Sequence, residues 1–141
     1  KARDVARETL DYVQRIDSAV EEMVQYMMFT NEARLEAPVQ GTSGFAEAFQ
    51  KAGPRDRQGR SLRDFDLEKR MFRYPLSYLI YSEAFDHMPE AARSRVYRRV
   101  FDVLTGKDRS PRYDSLSPSD RQAILAILLD TKKDLPGYWK P

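Results

Sequence analysis

The chain of 141 residues has one histidine, His87, and no cysteine. Any Ser–His–Asp triad, imidazole acid–base pair or histidine metal ligand must therefore use His87. Thiolate nucleophiles, disulfides, Cys-ligated zinc or iron–sulfur clusters and covalently attached c-type haem are excluded. Catalysis by His87 would recruit Asp86 as its carboxylate and Ser82 as its hydroxyl. No G-x-S-x-G elbow or oxyanion-hole glycine accompanies them, so no catalytic residue is assigned and His87, beside Pro89, reads as a helix-boundary residue. His87 and Met88 are the side-chain types of axial haem ligands, but two adjacent residues do not reach both faces of one iron. Asp64, Asp66 and Glu68 alternate as in a calcium loop, yet no glycine follows at the turn position and Leu67 interrupts the polar run. A helix start capped by Asp64 or Asp66 is the stronger reading, and no metal or other cofactor is expected.

The arginines offer different chemistry. Residues 51–73 hold 8 basic and 4 acidic side chains, and residues 91–112 hold 7 against 2. Arg55, Arg57, Arg60, Arg63, Arg70 and Arg73 form one group, and Arg93, Arg95, Arg98 and Arg99 a second. Their forked donors suit phosphates and carboxylates. Pairing with the acidic first helix and with Glu83, Asp86 and Glu90 would instead give a salt-laced exterior worth little energetically. The formal net charge is only +2, less than nucleic-acid binders carry, so the second reading is favoured and nucleic acid is not the expected partner. Phe65, Phe72, Tyr74, Tyr78 and Tyr81 would suit base stacking, but a domain of this size needs the same rings for its core. The segment Gly53–Arg63 is rich in glycine and arginine and costly to order, and salt bridges among Arg55, Asp56, Arg63 and Asp64 would fix it. A fixed charged loop over an aromatic run makes a ligand rim. Arg55, Arg60, Arg63, Arg73, Tyr74, Tyr78 and Tyr81 are accordingly the candidate ligand-binding residues, for an anionic or aromatic small molecule.

Helices must position these groups. From Arg3 to about Leu35, Ala6, Leu10, Val13, Ile16, Val20, Met23, Val24 and Met27 recur at three- and four-residue steps and predict one long helix. Its polar face is acidic: residues 1–36 carry 5 basic and 8 acidic side chains. Met23, Met27 and Met28 read as core or near-core residues. Pro38, Gly41, Thr42, Ser43 and Gly44 predict a loop, and Phe45–Ala52 a short helix. Pro75–Phe85 is read as a buried helix, with a strand as the alternative. A further helix starts near Pro89 and runs to Leu104, before Gly106. Ser117, Pro118 and Asp120 make an N-terminal signature for a helix reaching about Thr131, and Tyr138 and Trp139 would pin the tail from Leu135 to Pro141. The expected fold is all-α: an irregular bundle of about five helices with an ordered Arg/Gly-rich loop. The long first helix would run antiparallel to later ones and pack on Pro75–Phe85 and Ser117–Thr131. No apolar run is long enough to span a bilayer. Lys1–Arg7 is charged and helix-compatible rather than patterned as a targeting segment, and residues 1–141 read as a single helical domain of a larger or processed protein.

Several runs carry a resemblance. Gly41-Thr-Ser-Gly-Phe45, Gly53-Pro-Arg-Asp56, Gly59-Arg-Ser-Leu-Arg-Asp-Phe-Asp-Leu67, Phe72-Arg-Tyr-Pro75 and Ser77-Tyr-Leu-Ile-Tyr-Ser82 resemble the C-terminal helical region of bacterial exported proteins, some of them cytochrome c-related. The likeness extends through Tyr97-Arg-Arg99, Leu104-Thr-Gly106, Asp120-Arg121 and Leu135-Pro136, although those proteins often have a cysteine where Leu76 stands. It implies an exported, periplasmic setting and a partnership with electron-transfer proteins, and it identifies no catalytic residue. The expected function is that of a non-catalytic helical module binding a small molecule or another protein. An enzyme using His87, and anion or nucleic-acid binding through the arginines, are the alternatives.

Overall fold

The computed structural model describes residues 2–30, 32 and 43–140. Among them the chain is all-α, with five helices: α1 (Ala2–Met27), α2 (Ser43–Lys51), α3 (Glu83–Asp86), α4 (Glu90–Leu104) and α5 (Pro118–Thr131). Short 3₁₀ turns cover Tyr78–Tyr81, Pro111–Tyr113 and Gly137–Trp139, and one isolated antiparallel bridge joins Phe65 to Phe72. The stretch predicted to continue α1 to Leu35, and the loop around Pro38 and Gly41, lie largely outside the described residues; the helix itself stops at Met27.

α4 lies between α1 and α5. Val20, Val24, Met27 and Met28 of the first helix and its exit meet Val96, Val100 and Val103 of α4, with Ile124, Ile127 and Leu128 of α5 closing the core. Trp139 is buried and pins the tail as expected, while Tyr138 stays partly exposed and stacks edge-on against Phe101 at 5.2 Å. Asp17 pairs with Arg95 at 2.9 Å and Glu21 with Arg99 at 2.8 Å. These pairs climb both helices in the same order, so α1 and α4 do not meet antiparallel where they cross.

The Glu21–Arg99 pair is the centre of a strap. Arg99 also binds Asp108 and lies 3.5 Å from Asp102, and the buried Tyr113 hydroxyl donates to Glu21 at 3.0 Å. Arg121, from α5, donates to the carbonyls of Val103, Asp108, Tyr113 and Leu116, filling the C-terminal end of α4 with positive charge.

The single helix predicted over Pro75–Phe85 is two pieces, and serines divide it. Ser77 Oγ accepts from the Leu79 N–H and starts the 3₁₀ turn. Ser82 is extended (φ −74°, ψ 154°), donates its hydroxyl to the Leu79 carbonyl and accepts from Phe85 N–H, so it ends one turn and caps α3. Both side chains satisfy the backbone in ways a continuous helix could not. Ser117 caps α5 as its sequence signature predicts, accepting from Asp120 N–H at 3.0 Å. The helix start predicted at Asp64 or Asp66 is a reversing turn instead. Asp66 Oδ1 accepts from Glu68 N–H, Leu67 adopts φ 62°, and the chain folds back to set Phe65 against Phe72.

Candidate functional site

The Arg/Gly-rich loop is ordered, and its arginines are engaged with the protein itself. Arg55 donates to the carbonyls of Gly59 and Gln50 and pairs with Asp64 at 3.0 Å. Arg60 Nε donates to Asp56 Oδ2 at 2.7 Å, and the Asp56 carboxylate also accepts the N–H groups of Gln58 and Arg60. Burial alone would raise the Asp56 carboxyl; the Arg60 donors outweigh it and hold the group below the usual carboxylate range. Arg63 does not join the salt bridges predicted for it. Its guanidinium lies 4.6 Å from the ring centroids of both Phe49 and Tyr78 and donates to the Phe49 carbonyl. Phe65 and Phe72 complete this ring cluster, stacked or tilted against Phe49 at 5.1 and 6.2 Å.

The predicted site residues therefore separate into three places. Arg55, Arg60, Arg63 and Tyr78 belong to the loop and its ring cluster. Arg73 joins Arg70 on the Asp120 carboxylate and lies over the nearly buried Tyr74 ring at 4.9 Å. Tyr81 reaches α5, its hydroxyl 2.6 Å from Thr131 Oγ1, and burial raises its pKa. The second arginine group pairs as the salt-laced reading predicts at Arg95 and Arg99, whereas Arg93 donates to the carbonyls of Asp86 and Met88. Around His87, which is exposed, Ser82 acts as a helix cap and Asp86 takes the buried Lys132 amine at 2.7 Å. Among the described residues no cluster of acidic or imidazole side chains could hold a metal ion, and no helix is long and apolar enough to cross a membrane.

A different surface is built for binding. The last turns of α1, the Tyr78–Tyr81 turn and α3 enclose an open groove of about 520 Å³ whose lining is almost wholly apolar. Met27 and Phe85 are its buried floor, Met23 and Met88 its half-buried walls. Tyr26 (86% exposed) and Leu79 (56% exposed) stand at its mouth, with Glu22 and Ser82 on the rim. The serine-capped turns put it there: Ser77 N–H donates to the Met27 carbonyl at 2.8 Å, which docks the segment on the end of α1 and turns Ile80 inward. Leu79, its neighbour, is left facing water. A second cleft of about 280 Å³ is lined by Phe29, Glu32, Lys69 and Arg70 among others, but Arg70 is already committed to Asp120 and to the Arg73 carbonyl.

Sequence reasoning missed this groove because Met23 fits the core-facing spacing of α1 and Leu79 fits a buried helix. The available signal was the excess of apolar residues on α1: Val5, Tyr12 and Tyr26 belong to no stripe that the core can use. No family model, curated protein or solved structure matches the chain, and the groove is therefore read from its own geometry.

Proposed function

We propose that the protein is a non-catalytic binding module, and that its docking site is the methionine- and aromatic-lined groove between the end of α1 and Leu79–Met88. The observation that carries this reading is the exposure of Tyr26 and Leu79 around a concave apolar floor. Large apolar side chains grouped around a concavity mark contact surfaces, whereas isolated ones do not. Met23 and Met88 supply flexible, polarisable walls that adapt to an incoming side chain. The chemistry fits the apolar face of an amphipathic helix from a protein partner. In the exported, redox-associated setting that the sequence resemblance implies, such a groove would seat the module on a larger protein.

The test is an NMR titration of the labelled chain with a model amphipathic helix carrying Leu and Phe at i, i+4 and i+7. Amide shifts are expected at residues 22–28 and 79–88. Leu79→Glu should weaken binding roughly tenfold or more, the cost of placing a charge where apolar burial is needed. Shifts that fall elsewhere, or that Leu79→Glu leaves unchanged, refute the reading.

A further inference from the structure

α1 carries two apolar stripes. Val20, Val24 and Met27 face the body. A second follows alternating steps of four and three from Val5 to Tyr26, the spacing of a coiled-coil seam, with Tyr12, Ile16 and Met23 as its large apolar members and the smaller Thr9 and Ala19 between them; Ile16 and Met23 also pack in part against the core. It ends at the groove. Val5 and Tyr12 are 64% and 65% exposed, and residues 2–12 are exposed throughout, so the first three turns of α1 overhang the body without cover from any described residue. Along the solvent side of the seam stand Glu8, Arg15 and Glu22, one per heptad; all three are exposed, and none has an ion-pair partner among the described residues.

We infer that this seam pairs antiparallel with α1 of a second copy of the chain, a proposal that rests on reading the groove as a docking site. Charge complementarity selects the partner and the stagger. When two copies run antiparallel about a twofold axis, a stagger that sets Arg15 against the second copy's Glu22 also sets Glu22 against the second copy's Arg15. That stagger lays Tyr12 of one copy on Met23 of the other, and it carries each overhang across the other's groove. A shift of half a heptad repeat in each helix faces Arg15 with Arg15 and Glu8 with Glu22, and like charges reject it. A further shift, with Glu8 on Arg15, satisfies the charges but leaves Met23, Tyr26 and the groove open. A parallel pair would set Glu8, Arg15 and Glu22 against Val13, Val20 and Met27, with no charge satisfied.

The test is sedimentation equilibrium of the full chain from about 1 μM to about 1 mM, the weak end of measurable association, with circular dichroism to confirm that each variant keeps its helices. A concentration-dependent dimer is expected. Arg15→Glu should weaken it roughly tenfold or more, because both symmetric pairs become repulsive. Adding Glu22→Arg to that chain should restore it, and adding Glu8→Arg should not. A chain monomeric across the range overturns the proposal; if the model helix still binds it, the groove reading stands and another protein's helix is the occupant. Failure of Glu22→Arg to rescue Arg15→Glu also overturns it. A dimer that follows the charge pattern but ignores Leu79→Glu supports the seam and removes the groove.

Discussion

Arg63 is held by two rings rather than by a carboxylate. Its guanidinium is 4.6 Å from the centroids of Phe49 and Tyr78, and its aliphatic stem lies so close to Gly53 that a Cβ there would meet Cδ at 2.7 Å. Two cation–π contacts and the packed stem predict that Arg63→Ala costs about 2 kcal/mol of stability in urea unfolding. Arg63→Lys should recover less than half of that, since an ammonium cannot lie flat between two rings. If Arg63→Ala is neutral, the guanidinium is not a structural clamp and is again available to a ligand. The sequence locates this arginine correctly, in a charged loop next to an aromatic run. It does not say which acceptor a guanidinium takes, because Asp56, Asp64 and the rings all lie within reach along the chain and only the folded loop ranks them. Arg121 was harder still. Its acceptors are four backbone carbonyls, and every residue has one of those.

Between elements, the strap joining α1, α4 and the Asp108–Tyr113 segment carries a pH signature. Burial alone would raise the Asp108 carboxyl, but donors from Ser110 and Arg99 outweigh it and bring it from 3.8 to about 2. Glu21 is lowered too, chiefly by its hydrogen bond from Arg99. Both carboxyls hold their protons less tightly in the folded chain, so their contribution is complete above the unfolded pKa and is lost as pH falls through the folded one. For Asp108 the loss between pH 5 and pH 2 is about 2 kcal/mol, at about 1.4 kcal/mol per unit. Tyr113 gives the opposite limb. Burial, with Glu21 beside it, pushes its phenol from 10 to about 12, so stability complete below pH 10 is lost as pH rises toward 12. Urea midpoints across pH should show Asp108→Asn flattening the acid limb and Tyr113→Phe the alkaline one; unchanged limbs would mean that the strap is open in solution. Helix identity was legible here for α4 and α5, whose proline and serine starts and apolar spacing agree. Pro75–Phe85 was not, because Ser77 and Ser82 compete with the helix backbone, and apolar spacing takes no account of that competition.

At the scale of the whole molecule, the apolar stripe of α1 outruns the cover that the described residues give it. Spacing identifies Leu10 and Val13 as residues that want cover as clearly as Val20 and Val24, but it carries no information about where the body ends, and Leu10 is left exposed. That limit of the sequence has a measurable consequence. Residues 2–12 are about 16 Å of helix at 1.5 Å per residue, and isolated helices shorter than about 12 residues are marginal in water. With no described residue packed on it beyond the continuing half of α1, the overhang should fray from its N-terminal end. Amides of residues 6–12 should therefore exchange rapidly with solvent when the chain is dilute, while those of residues 20–27 stay protected. If a second copy covers the seam, protection of residues 6–12 must rise with protein concentration, along the same curve as the dimer fraction, and Arg15→Glu must shift that curve to higher concentration. Protection that is already strong in dilute solution would mean that something within one chain covers the overhang, and the second copy would have nothing left to bury.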